Sequence, residues 1–239
     1  MSALAAPARG RKAGDRTQEV ARAALAAFCS GGYRLTQIAH VSERLGVSVG
    51  SIYRTVESKE ALFHLAILEA TGALPAALEL PLEVSGMRDS AEHLRRVATH
   101  DSLWSTLEEA NAHPAPADVR AEAAAIAAQL YDSLSRRAAI IGLLDRCAHE
   151  IPELAQIFDA EVRGRLMQDL ERWVVSRKLA GEVSPARAAA LARGAMEAIA
   201  WLAKSRPGDP TAADMAEHDA RAAAIRIFVG AFEYGGRAA

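Results

Sequence analysis

The chain has 239 residues, 51% hydrophobic and 24% charged, with a net charge of −2. That length and balance give one or two domains with a sizeable core, and they exclude a disordered or fibrous chain. The abundance of Ala favours an all-α fold. No apolar run reaches the roughly eighteen residues of a membrane helix, because Arg193 and Glu197 interrupt the most apolar late segment, 188–203.

Two cysteines, Cys29 and Cys147, are too few for a disulfide framework and suit a reducing compartment. The basic residues near the N-terminus follow the short apolar run 4–8 instead of preceding it, which is not the layout of a secretory leader. The expected location is the cytoplasm. Charge is unevenly spread. Residues 1–60 carry nine Lys and Arg against five Asp and Glu, a balance of +4, and the other residues carry nineteen against twenty-five, a balance of −6. A basic end on an acidic body suits contact with a polyanion at that end.

Residues 1–14 mix Ala, Pro, Gly and basic residues without a period and read as a disordered basic arm. The basic stretch from Arg9 to Arg16 either touches phosphates or an adjacent groove, or forms a solvated tail. From Thr17, Val20, Ala24, Ala27 and Phe28 follow a helical spacing that Gly31 and Gly32 end. A second helix is expected from Thr36 as its N-cap, with Ile38, Val41 and Leu45 on one face and Gly46 at its end. Ser48 caps a third, running to about Val56, and Ser58-Lys59-Glu60 opens a fourth with Leu62, Phe63, Leu65 and Ala66 buried.

Pro75, Pro81 and Gly86 mark a handover, so the domains are expected at 15–72 and 73–239. In the second, one or two helices are expected over 89–111, and a long helix over 117–150, kinked around Gly142. Pro152 opens a helix to about Ala180, stopped by Gly181. Ser184-Pro185 opens another to about Ser205, and the last spans 211–234.

Two short helices joined through Leu45-Gly46-Val47-Ser48 have the dimensions of a helix-turn-helix, whose second helix presents its N-terminal residues to the major groove. Gly50 and Ser51 are small enough for close approach, Tyr53 and Arg54 reach phosphates or base edges, and Lys59 starts the next helix where a phosphate would sit.

The run Gly32-Tyr33-Arg34-Leu35-Thr36, then Val41-Ser42-Glu43-Arg44-Leu45-Gly46-Val47-Ser48, then Ile52-Tyr53-Arg54 and Ser58-Lys59-Glu60-Ala61-Leu62 resembles the DNA-binding domain of the TetR family. The resemblance implies a three-helix N-terminal DNA-binding domain and a larger helical domain for ligand binding and dimerisation. It implies a homodimer on near-palindromic double-stranded operator DNA, most often a repressor released by a small molecule. Carried over, the DNA contacts are Thr36, Ser48, Val49, Gly50, Ser51, Tyr53, Arg54 and Lys59. The chain departs from the family pattern at Gln37, Ser42 and Thr55-Val56. Val56 stands where a larger aromatic is usual, leaving volume for Phe63 or Phe28.

Dimerisation is assigned to 185–205 and 211–234, with Ala188, Ala192, Ala195, Met196, Ile199, Trp201 and Leu202 on the faces. Candidate lining for an apolar or aromatic effector is His100, Trp104, Tyr131, Cys147 and His149, although core packing also accounts for Trp104 and Tyr131. His93 and His100 share a helical face without a third ligand and are expected at the surface, so no metal or cofactor is assigned. No residue is assigned a catalytic role. A helical di-iron enzyme would need Glu-x-x-His pairs, which the sequence lacks. An activator, or a regulator that needs no ligand, remains open on the same fold.

Overall fold

The computed structural model describes residues 13–100, 102–177 and 184–233. Two compact units divide the chain, with the boundary between Ser90 and Ala91. Among the described residues every regular element is helical, and extended pairing is limited to one isolated bridge between Val56 and Leu82. No described helix is long and apolar enough to cross a membrane.

The first unit contains α1 (Ala13–Leu35), α2 (Ile38–Leu45), α3 (Val49–Ile52) and α4 (Lys59–Ala70). Val20, Ala24 and Phe28 of α1 are buried, as their spacing requires, and α1 packs against α4. Phe28 meets Phe63 edge-on at 4.9 Å, and Tyr33 meets both rings at 6.0 and 5.1 Å. Such ring pairs add about 0.5–1.5 kcal/mol each beyond their area. The helical path of α1 breaks at Gly32 (φ 78°, ψ 173°).

Two expectations for this unit need correction. Thr36 does not cap α2; Gln37 does, in a reciprocal box in which its backbone N–H donates to Nδ1 of His40 at 3.2 Å. The third helix ends at Ile52, not Val56. Residues 53–55 continue as turns into the Val56 bridge to Leu82, whose N–H donates to Thr55 O at 2.8 Å.

The second unit takes the rest of α5 (Met87–His100), then α6 (Ser105–Ala112), α7 (Val119–Arg136) and α8 (Ala138–Cys147). Next, α9 (Pro152–Ala155) passes through a π-helical stretch, Gln156–Gly164, into α10 (Arg165–Ser176). α11 (Pro185–Ala200) runs into a second π-helical stretch, Trp201–Ser205, and α12 (Glu217–Glu233) follows. α7 packs on α12, α10 on α6 and α11, and α11 on α12. Trp173 of α10 lies at the centre, 5.9 Å from Phe228 and 5.4 Å from Phe232.

Here too the structure departs from the sequence reading. The long helix over 117–150 breaks at Arg137 (φ −105°, ψ 12°), and Gly142 sits inside α8. The last helix starts at Glu217, not 211. Asp209 accepts from the Thr211 N–H and hydroxyl, at 2.8 and 2.7 Å, and so stabilises a separate short turn at Pro210–Ala212. His93 is buried, not at the surface. The expected end at Ala180 and Gly181 lies outside the described residues.

One buried ion pair ties three of these helices together. Arg177, following α10, directs Nε and Nη2 to Glu122 of α7 at 2.8 Å each and also donates to Ala110 O and His113 O at the end of α6. Trp173 Nε1 donates to the same carboxylate at 2.8 Å. The hydrogen bond from Arg177 holds the Glu122 carboxyl below its ordinary value. A carboxyl whose folded pKa is depressed stabilises the fold above its unfolded pKa, and that contribution disappears as pH falls through the folded value. Arg177→Met is therefore expected to cost up to about 3 kcal/mol in chemical denaturation at neutral pH, because it leaves a half-buried carboxylate with only the Trp173 hydrogen bond. The parent should lose stability as pH drops below the usual glutamate range, with Glu122→Gln flattening that dependence.

Candidate functional site

The turn between α2 and α3 is set by Gly46, which adopts φ 64°, ψ 36°. A side chain in this left-handed conformation would cost about 1–2 kcal/mol. Its N–H closes α2 by donating to Glu43 O at 3.0 Å. α3 then buries Ile52, with Val56 buried just beyond it, and turns Ser48, Val49, Gly50, Tyr53 and Arg54 outward. Val49 and Tyr53, one helical turn apart, are 39% and 46% exposed.

Behind this surface, Ser51 is buried, and its hydroxyl accepts from two guanidinium groups: Arg54 at 2.7 Å and Arg16 of α1. The sequence reading places Arg16 with the basic N-terminal stretch. It lies instead in α1, so two positive side chains converge beside the exposed face of α3. Arg9, Arg11 and Lys12 lie outside the described residues. Lys59, at the start of α4, donates to Arg34 O at 3.1 Å and lies 4.6 Å from the centre of the Tyr33 ring. Tyr33 in turn donates to Glu60 at 3.1 Å, and burial first, then the Glu60 charge, push its phenol pKa up. Ser58 caps α4 by accepting from Ala61 N at 3.1 Å.

Thr36 stands apart from this group. It is 2% exposed and its hydroxyl donates to Ala27 O at 3.2 Å. A Cβ on Gly31 would fall 2.8 Å from that hydroxyl, so Gly31 makes room for it. The geometry gives Thr36 the task of tying the end of α1 to the start of α2. No pattern in the sequence separates that task from a phosphate contact, because a threonine before a helix suits both.

In the second unit a partly open cavity of about 170 Å³ is lined by α5, α7, α8, α10, α11 and both π-helical stretches. Of the five residues expected to line an effector site, Trp104 lies on its wall, with Nε1 donating to Asp169 at 3.0 Å. Tyr131 does not line this cavity. Its hydroxyl donates to Glu217 at 2.7 Å, and burial followed by that carboxylate push its pKa up to about 12. Cys147 is buried away from the cavity wall at the end of α8, and His149 is exposed on the turn after it. The side chain of His100 lies outside the described residues. Sequence reasoning missed most of the wall, which is ordinary Leu, Ile, Val and Phe and carries no signal apart from its helical spacing.

A short helix held by a glycine turn, with exposed apolar and basic groups at its start, defines a helix-turn-helix DNA-binding domain. Residues 20–66 match the family described as bacterial regulatory proteins, tetR family. No curated protein matches the chain. A crystal structure of a Mesorhizobium loti protein assigned to the TetR-family transcriptional regulators is similar over 93% of this chain and 97% of its own, at 17% identity and a TM-score of 0.46. The match places the helix-turn-helix at residues 20–66 within the DNA-binding domain that this family model describes. Thr36→Val is expected to lower the stability of the first unit by roughly 1 kcal/mol while leaving the DNA affinity of the folded protein unchanged. Thermal melts and gel shifts on the same preparations check both halves.

Proposed function

We propose that the protein is a homodimeric repressor that binds a near-palindromic operator through α3 and leaves it when a small molecule fills the cavity of the second unit. The observation that carries the DNA half is the exposed face formed by Ser48, Val49, Gly50, Tyr53 and Arg54, with Arg16 held beside it through Ser51. Tyr53 and Val49 meet base edges, Gly50 permits close approach, and Arg54, Arg16 and Lys59 meet phosphates. Ser51 acts from behind by holding the two guanidinium groups.

Two copies must place their α3 helices about 34 Å apart, or a multiple of it, to read both half-sites. A ligand releases DNA if it binds better to a form in which that spacing is wrong. The dimer faces expected from sequence need revision. Ala188, Ala192, Ala195, Met196, Ile199 and Leu202 are buried within the subunit's own core. Trp201 and Ile227, 41% and 47% exposed, are the large apolar groups that α12 and the end of α11 still offer a partner.

DNA carrying the protein's own upstream region should be retarded in gel shifts, with affinity falling steeply as salt rises. Lys59→Ala should weaken operator and random DNA alike and reduce the log–log salt slope by about 0.9 for each phosphate the variant no longer neutralises. Tyr53→Ala should cost operator binding about 1–3 kcal/mol while sparing random DNA. Equal weakening on both DNAs for both variants would refute these roles. Sedimentation should show a dimer, and Ile227→Asp should shift it toward monomer and reduce operator affinity with it.

A further inference from the structure

Native interiors leave few voids larger than a water molecule, yet the second unit keeps a chamber of about 170 Å³. Leu94, Leu130, Ile140, Leu144, Phe158 and Met167 supply the body of its wall. They come from four helices and a π-helical stretch, and each is buried from bulk solvent. The two π-helical stretches, Gln156–Gly164 and Trp201–Ser205, both contribute to this wall. Such stretches are rare and concentrate at functional sites.

The charged and polar groups of the wall define what the occupant lacks. Five of them form one chain of ion pairs. Lys204 meets Asp145, Asp145 meets Arg163 at 3.8 Å, Arg163 meets Glu197 at 3.9 Å, and Glu197 meets Arg193 at 3.1 Å. None of the five is buried, so water and the neighbouring charges already satisfy them. The polar groups set among the apolar side chains are engaged as well. Trp104 Nε1 donates to Asp169 at 3.0 Å, and Ser133 Oγ accepts from Arg137 at 2.9 Å. Among the described residues, no side chain of this wall is a buried donor or acceptor without a partner. An ion entering the chamber would shed its hydration and find its possible partners already taken, which is costly. An uncharged apolar guest has no such loss and removes its own surface from water.

We propose that the cavity binds an uncharged, compact hydrophobe the size of toluene, held by shape and apolar contact without a charged anchor. This rests on reading the second unit as the sensor, and it narrows the expected apolar or aromatic effector in both charge and size. A dry apolar cavity of about 150 Å³ takes a benzene-sized guest. A chamber of about 170 Å³ therefore suits a ring with roughly one further carbon.

The test is calorimetric titration of the full-length protein at neutral pH with four probes. Toluene, cyclohexylammonium and cyclobutanecarboxylate are matched in non-hydrogen atoms and differ in charge, while naphthalene is uncharged and too large for the chamber. Toluene should bind at least about tenfold tighter than each of the other three. Ala200→Leu, which adds bulk to the wall, should weaken toluene binding by a similar factor. Either ion or naphthalene binding as tightly as toluene would overturn the proposal. So would failure of toluene to bind, or an unchanged toluene affinity in the folded variant. If Ala200→Leu does not fold, the four-probe comparison on the unaltered protein decides the matter. Gel shifts with the same probes separate this proposal from ligand release. Toluene bound with operator affinity unchanged supports the site and refutes release by its occupancy. Operator release by either ion, with toluene unable to bind, refutes this proposal and leaves release standing.

Discussion

A helix of four residues cannot hold itself together, because the cost of its first turn is not offset by the few hydrogen bonds it can form. α3 is such a helix, so its position depends on burying Ile52 and Val56 against the rest of the first unit. The outward group at its start follows from that constraint. With Ile52 inward, Val49 and Tyr53 face out on the other side, and Gly46 turns the chain so that α2 supports α3 from behind. The aromatic packing of Phe28, Tyr33 and Phe63 fixes α1 against α4. That packing carries Arg16 to the Ser51 hydroxyl of α3, and Lys59 to the end of α1. The positive charge of this end is thus a built arrangement in which Ser51 spaces two guanidinium groups, while the chain as a whole is slightly acidic.

The second unit answers to a different constraint. Its helices are rich in Ala and can approach closely, so α11 and α12 turn their small and apolar faces inside the subunit around Trp173, Phe228 and Ile199. What stays outside is narrow. The same close approach explains the buried Arg177. Its guanidinium satisfies Glu122 and the terminal carbonyls of α6 at once, which turns a costly buried charge into a clasp between α6, α7 and the end of α10. The cavity forms where the helical path is least regular, at the break by Arg137 and along the two π-helical stretches. Widened turns shift side chains off the regular register, and neighbouring helices cannot close every gap that results.

The sequence by itself determined the all-helical class, the glycine turn at Gly46, the cap at Ser58 and the prolines that open helices at Pro152 and Pro185. Each of these is a local matter, since φ preference, capping chemistry and helical period act over a few neighbouring residues. The sequence also carried the ordered motif from Gly32 to Leu62, which lies within the 20–66 match. Tertiary structure alone decided the length of α3, which ends before the Leu82 bridge, and the break at Arg137, where no glycine or proline marks it. It alone turned Thr36 and Ser51 inward, paired Arg16 with the motif across thirty-five residues, and put Trp104 on the cavity wall while sending Tyr131 to Glu217. These outcomes depend on which distant residues meet, and the identity of a side chain says what it can bond to without saying what will stand beside it.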